Sequence, residues 1–139
     1  MKYIDSNIII RLIVNDVPEL AQEAIKILED ADAQGEDLVI FDAVITEVCF
    51  VLEFNQSYRL PRQVIFDGLY AVLDNLGVRR GDCTDRALEI YVTHPKLDYV
   101  DCLLLAASHG KRADVLTFEM GAKNIPSRRL LQEVAQPVV

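Results

Sequence analysis

The sequence predicts an α/β fold with three layers, α/β/α, around a short-stranded and mostly parallel central sheet. Short apolar segments alternate along the chain with longer segments of helical periodicity, an order typical of strand–helix–strand crossover units. The chain has 139 residues, 51% of them hydrophobic, so it can bury one core. Because no repeat, low-complexity tract or linker interrupts it, we expect residues 1–139 to form a single domain.

Periodicity and turn residues define the individual elements. The helix predicted over 18–35 begins with Pro18, which suits a first helical turn, and ends at Gly35. One side of this helix is apolar and carries Leu20, Ala24, Ile27, Leu28 and Ala31. In chain order, strands are predicted at 2–4, 37–41, 77–80, 113–118 and 123–127; an apolar run at 8–14 starts a helix after the first strand, and further helices are predicted at 18–35, 42–55, 61–75, 82–94 and 98–110.

The helix over 42–55 has an apolar stripe with one acid at its border. Glu47 falls at the edge of the stripe, whereas Glu53 points to the opposite side and is interpreted as part of a solvated face. The stripe itself consists of Val44, Val48, Val51 and Leu52, and three aromatic residues at helical spacing near Glu47, interpreted as core or subunit interface, are Phe50, Phe54 and Tyr58.

Composition excludes several classes of protein. The net charge of −8 argues against a basic nucleic-acid coat, but not against a nuclease that holds metal at an acidic site. No apolar span of about 20 residues predicts a transmembrane helix, and no signal peptide is expected. Cys49, Cys83 and Cys102 are far apart and odd in number, which favours reduced thiols in a cytoplasmic protein. With only two histidines, a zinc enzyme is not expected.

Two acids follow predicted strands directly. Asp5 comes after the first strand and precedes Ser6 and Asn7, and Glu119 comes after the strand over 113–118. Ligands of parallel α/β sheets bind beyond the carboxyl ends of the strands, so both acids stand where a ligand would bind. Each also has a simpler interpretation, Asp5 as a helix N-cap and Glu119 as a turn residue.

Three further acids lie on predicted helices. Glu47 borders a core, where an acid must be ion-paired, protonated or bound to a cation. Asp98 and Asp101 are three residues apart at the start of an apolar helix, and hence neighbours on one face. Acids in a first helical turn also interact favourably with the helix dipole, so the dipole alone could account for this pair.

Taken together, the acids predict one shared cleft. Carboxylates without matching basic residues suit a hard divalent cation, Mg²⁺ or Mn²⁺. Such a cation lowers the pKa of bound water and stabilises charge on a phosphoryl oxygen, and a pair of cations clamps the attacking and leaving oxygens. Phosphodiester hydrolysis fits this chemistry, and neither a Gly-rich phosphate loop nor a Ser/His or Cys/His set competes with it.

Four segments in order resemble the PIN domain family: "YIDSNIIIRLI", "ITEVCFVL", "LDYVDCLLLAAS" and "VLTFE". The resemblance spans Tyr3 to about Glu119, and the size of the chain and the position of the first motif resemble the VapC-type toxins of toxin–antitoxin pairs. It implies that the catalytic and metal-ligating acids are Asp5, Glu47, Asp101 and Glu119. The supporting residues are Ser6, Asn7, Asp98 and Thr117.

The resemblance also implies an activity and partners. It implies a Mg²⁺- or Mn²⁺-dependent endoribonuclease that cuts RNA, forms a homodimer and is inhibited by an antitoxin protein. One departure stands out, because the family usually has Asp where this chain has Glu119, one methylene longer. An antitoxin that inserts a basic side chain among the acids would suit the negative charge of the chain.

Two other functions fit parts of the sequence. A catalytically silent PIN-like module that binds RNA or protein is consistent with Glu119 and with the acidic pI of about 4.7. A phosphotransfer protein fits less well: a haloacid-dehalogenase-like phosphatase needs a second Asp at position 7, which is Asn7. A receiver-type regulator could use Asp42, but no acidic pair accompanies it.

Overall fold

The computed structural model describes residues 1–111 and 115, which fall into two compact units. The first unit, residues 1–81, contains β1 (Lys2–Tyr3), α1 (Ser6–Val14), α2 (Pro18–Ala33), β2 (Leu38–Val39), α3 (Asp42–Phe54) and α4 (Arg62–Asn75). The second unit starts at Asp82 and contains α5 (Thr84–Thr93) and α6 (Tyr99–Lys111). The expectation of a single domain over 1–139 stays a prediction.

The sheet of the first unit is short and parallel. Tyr3 of β1 pairs with Val39 of β2, and the Ile4 amide donates to the Val39 carbonyl at 2.9 Å. Val39 also bridges to Arg79, so the strand predicted over 77–80 is reduced to an isolated bridge. The described part of the chain is therefore mostly helical with a two-stranded parallel sheet, in keeping with an α/β fold. The three-layer arrangement stays a prediction, and the strands expected at 113–118 and 123–127 lie outside the described residues.

Glycine ends two of the helices as expected of a left-handed C-terminal cap. Gly35 follows α2 with φ of +72°, and the amides of Gly35 and Glu36 donate back into the last turn at 3.0 and 3.1 Å. Gly77 follows α4 with φ of +56° and the same pair of bonds. The helix end predicted at Gly35 is confirmed, and Gly77 returns the chain to the edge of the sheet in the same way.

The buried side of α2 is narrower than its sequence suggested. Leu20 and Ile27 of the predicted apolar side are 39% and 49% exposed, so they do not belong to the buried face. The true inner face is rotated towards Ala21 and is made mainly of small residues. That face consists of Ala21, Ala24, Leu28 and Ala31.

The apolar stripe of α3 is also rotated from its predicted position. Val44 and Val51 are only half-buried, and Glu53 is not solvated, because its carboxylate accepts a hydrogen bond from Arg62 Nε at 2.9 Å. Both side chains of this ion pair are largely covered, at 19% and 10% exposed. The residues that α3 buries are Ile45, Val48, Cys49 and Leu52.

Two aromatic residues of α3 lie outside the core. Phe50 and Phe54 are 64% and 53% exposed, and their ring centroids are 5.3 Å apart. The core interpretation of this pair is therefore wrong, and a subunit interface stays a prediction.

The second unit is built on the packing of α5 against α6. Tyr91 and Tyr99 meet edge to face with ring centroids 6.1 Å apart, and Leu88, Leu97 and Cys102 are completely buried. Within the described residues, no helix is long and apolar enough to cross a membrane.

Helices α1 and α4 approach closely at Gly68. A Cβ at this position would lie 2.7 Å from Ile13 Cγ1 and 3.1 Å from Ile13 Cδ1. Ile13 is β-branched and stiff at χ1, so it could not move aside freely. Gly68 is therefore required by the close packing of two helices rather than by its backbone conformation.

We expect Gly68→Ala to destabilise the protein, because overpacking costs about 1–3 kcal/mol and outweighs a gain in helix propensity of about 1 kcal/mol. Urea unfolding followed by circular dichroism measures the change. The control is the same substitution in an Ile13→Ala background, where the clash is absent and Gly68→Ala becomes neutral or stabilising. Equal destabilisation in both backgrounds would show that the contact with Ile13 is not the cause.

Candidate active site

Asp5 stands at the junction of β1 and α1. Its backbone is extended, its Oδ1 accepts a hydrogen bond from the Ser6 amide at 2.8 Å, and its Oδ2 accepts one from Asn7 Nδ2 at 3.4 Å. The capping interpretation of Asp5 is therefore confirmed. These two hydrogen bonds leave further acceptor sites on the carboxylate, because its two oxygens offer about four in all. The side chain remains exposed and available to a cation.

Burial on either side fixes the position of Asp5. Ile4 is 5% exposed and Ile9 is completely buried, so both ends of the short connection are held in the core. Ser6, also buried, begins the helix directly after the acid. The apolar neighbourhood that made Asp5 conspicuous in the sequence therefore holds its carboxylate at the carboxyl end of β1.

Glu47 projects from the outer side of α3. It is exposed, so the expectation that it borders a core is wrong. The cause is the rotation of α3: at about 100° per residue, Glu47 lies nearly opposite the buried Ile45 and Leu52. An exposed carboxylate needs no compensating partner, so burial no longer argues that Glu47 binds a cation. Its assignment to the site rests on the "ITEV" motif alone.

Asp98 and Asp101 form one turn at the start of α6. Asp98 Oδ1 accepts a hydrogen bond from the Asp101 amide at 2.8 Å, which is an N-cap interaction. Asp98 is exposed and Asp101 is half-buried. Burial raises the pKa of the Asp101 carboxyl above its ordinary value, and the negative charge of Asp98 raises it further. A cation at this position would relieve both effects.

The predicted acids are distributed over both units. Asp5 and Glu47 belong to the first and Asp98 and Asp101 to the second, whereas Thr117 and Glu119 lie outside the described residues. Among residues 1–111 and 115, no three carboxylate, imidazole or thiolate side chains are grouped closely enough to hold a metal ion. Convergence of the acids on one cleft stays a prediction.

The chemistry of these acids nevertheless fits a hard divalent cation. Within the part of the chain that the structure describes, none of Asp5, Glu47, Asp98 and Asp101 forms an ion pair with a lysine or arginine. Carboxylate oxygens are the ligands that Mg²⁺ and Mn²⁺ prefer. The raised pKa of Asp101 is the specific observation in favour, because it marks a carboxylate without a compensating charge.

Two aromatic residues beside Asp5 were missed as site residues in the sequence. Tyr3 and Phe41 were assigned only to strands, yet their rings stack with centroids 4.9 Å apart and both are more than half exposed. The available signal was the spacing, since each aromatic residue shortly precedes an acid, Asp5 or Asp42, at the carboxyl end of a strand.

Comparison with known families identifies the family of this chain. A family model described as PIN domain matches residues 2–126, which is most of the sequence. The chain belongs to the PIN domain family. PIN domains are generally nucleases and typically bind divalent metals. No curated protein and no solved structure matches the chain.

The raised pKa of Asp101 makes the metal-free PIN domain less stable at neutral pH than it would be without this charge. A folded-state pKa above the unfolded value means that the folded protein binds the proton more tightly, so the penalty appears as pH rises through the folded pKa. We therefore expect Asp101→Asn to raise the Tm at pH 7 in EDTA. The gain should shrink as the pH is lowered through that pKa.

Glu19→Gln provides the control for this measurement. Glu19 is an exposed acid in the first turn of α2. Its removal loses a favourable interaction with the helix dipole and relieves no burial, so the Tm should fall slightly. An Asp101→Asn protein that is less stable than wild type at pH 7 would contradict the assigned cause.

Proposed function

We propose that this PIN domain is a Mg²⁺- or Mn²⁺-dependent endoribonuclease that hydrolyses RNA phosphodiester bonds, and that it is the toxin of a toxin–antitoxin pair. Membership in a family of nucleases supports the reaction class. The observation that carries the proposal is the turn at the start of α6, where the half-buried Asp101 lies beside Asp98 and, among the described residues, neither forms an ion pair with a lysine or arginine.

The proposed roles divide the residues between holding metal and positioning water. Asp5 and Asp101 ligate the metal directly, and Glu47 and Glu119 serve as ligands or as orienters of the attacking water. When bound, the cation supplies a water of lowered pKa and offsets charge on the phosphoryl oxygen.

Supporting residues fix the geometry of these acids. The Ser6 amide and the Asn7 side chain hold the two oxygens of Asp5, so that its carboxylate does not rotate freely. Asp98 anchors the first turn of α6 through the Asp101 amide, which orients the Asp101 side chain. Thr117 is assigned a supporting role from its motif.

Exposed apolar residues support the proposed protein partners, an antitoxin and a second copy of the chain. Leu20 and Ile27 are exposed on α2, and Phe50 and Phe54 on α3. Apolar patches of this kind commonly mark protein interfaces. A net charge of −8 would favour an antitoxin segment that carries basic residues. We place the toxin and its antitoxin in the cytoplasm, where reduced thiols such as those of Cys49, Cys83 and Cys102 are chemically stable.

We expect Asp5→Asn and Asp101→Asn each to lower RNA cleavage by about 100-fold or more, since even indirect metal-site substitutions cost about 10–100-fold. A fluorophore-labelled single-stranded RNA with Mn²⁺, and then with EDTA, measures the rate. Asp30→Asn, an exposed acid of α2, is the matched control and should leave the rate unchanged. Full activity in Asp5→Asn, or cleavage that persists in EDTA, would refute the assignment.

The silent binding module remains the second candidate because Glu119 replaces the usual Asp. Its signature would be wild-type protein that binds RNA without cutting it. Glu119→Asp shortens the side chain by one methylene, and under this alternative it should create Mn²⁺-dependent cleavage. Wild-type protein that cleaves RNA as fast as Glu119→Asp would exclude the alternative.

Metal binding should also be visible as stability. A ligand that binds only the folded state at 100 times its Kd stabilises that state by about 2.7 kcal/mol. We expect Mg²⁺ or Mn²⁺ to raise the Tm of wild-type protein, and Asp101→Asn to reduce the response even though its metal-free Tm is higher. Calorimetry on the two proteins measures both the metal-free Tm and its increase on addition of metal. An increase in Asp101→Asn equal to that of wild type would show that Asp101 is not a metal ligand.

A further inference from the structure

Two exposed aromatic rings lie together at the carboxyl end of the sheet. Tyr3 and Phe41 are 61% and 56% exposed although they stack on one another, with ring centroids 4.9 Å apart and planes 27° apart. Each ring therefore keeps most of its surface available for a further contact. Contiguous exposed apolar surface is a feature of binding sites.

The register of the sheet produces this pair. Tyr3 lies beside Val39, and Phe41 is two residues further along, so all three project from the same face. Ile4 and Ile40 project from the opposite face and are only 5% and 2% exposed. The pleat thus sends the aliphatic residues into the core and the aromatic residues outwards.

The same register brings the aromatic pair next to the first acid. Asp5 is two residues beyond Tyr3, and the hydrogen bond from Ile4 to Val39 continues the pairing to this point. Extension of the same register by two residues brings Asp5 level with Phe41 on the neighbouring segment. The aromatic pair and the candidate metal ligand Asp5 are therefore neighbours at this edge of the sheet.

The charge of the chain favours a contact with bases over a contact with phosphates. At a net charge of −8 the protein gains little from the counterion release that drives most nucleic-acid binding. Stacking on aromatic rings depends on no charge, and it is the usual way in which proteins hold unpaired bases. A stacked and exposed aromatic pair close to Asp5 is placed for such a contact.

We propose that Tyr3 and Phe41 form a stacking platform for an unpaired nucleobase adjacent to the scissile phosphate. This inference rests on the proposed ribonuclease function, and it makes single-stranded RNA the substrate form. A base held on the platform would place its own phosphate beside Asp5, so stacking would select unpaired segments over duplex.

The absence of tryptophan from the sequence permits a direct test. Phe41→Trp introduces the only indole, whose emission reports its surroundings. The probe is a short single-stranded 2′-O-methyl oligoribonucleotide, titrated in EDTA so that neither cleavage nor metal contributes. An abasic strand of the same length lacks only the bases. Phe50→Trp is the matched control, because Phe50 is 64% exposed and its ring contacts that of Phe54 at a tilt of 49°, but it lies about 13 Å further along α3.

We expect the oligoribonucleotide to quench the indole of Phe41→Trp and to leave that of Phe50→Trp unchanged, and the abasic strand to quench neither. With wild-type Phe41, Tyr3→Ala should weaken binding of a labelled oligoribonucleotide by about ten-fold, as expected for loss of one stacked base. Tyr3→Phe keeps the ring and should bind like wild type. Duplex RNA of the same sequence should quench far less than the single strand.

Three results would overturn the platform. The first is no response of Phe41→Trp to RNA, and the second is equal quenching by the abasic strand. The third is a blue-shifted emission of Phe41→Trp without RNA that acrylamide does not quench. Such an indole would be buried, which means that a second copy or another part of the chain covers the pair. Cleavage without an indole response refutes the platform alone, whereas an indole response without cleavage refutes the proposed ribonuclease.

Discussion

The parallel pairing of β1 with β2 is the constraint on which the first unit depends. A single register decides that Ile4 and Ile40 enter the core, that Tyr3 and Phe41 face outwards, and that Asp5 emerges at the carboxyl edge. A shift of one residue would exchange the two faces and bury an acid with the aromatic rings. The glycines after α2 and α4 support this register, because each returns the chain to the sheet through a left-handed turn.

Negative charge is concentrated where stability alone would not place it. Asp98 and Asp101 stand in one helical turn, and burial makes the second of them costly to ionise. Glu53, by contrast, is neutralised locally by Arg62. The contrast separates acids that serve the fold from acids retained at a cost to it, and such costs are typical of functional sites.

Much of the local structure could be predicted from the sequence, because it depends on neighbours along the chain. The cap at Asp5, the helix end at Gly35 and the first turn of α6 all follow from short-range hydrogen bonding. The rotation of α3 could not be predicted, because Val44 and Ile45 are equally apolar and only contacts with other helices decide which of them is buried. The predicted strand lengths were wrong for the same reason, since hydrogen bonding across the sheet depends on partners distant in the chain. Of the candidate site, the motifs indicated the acids, but the aromatic pair required knowledge of the register.

The close approach of α1 and α4 at Gly68 has a consequence for how this PIN domain could evolve. Helix α1 is capped by Asp5 and is only about 13 Å long, so a small tilt of the helix at Ile13 would move this acid. Natural variation in reaction rate among its homologues could therefore arise from side-chain size at this helix crossing, with every acid unchanged. Selection for faster or slower turnover has a target there that leaves the chemistry intact.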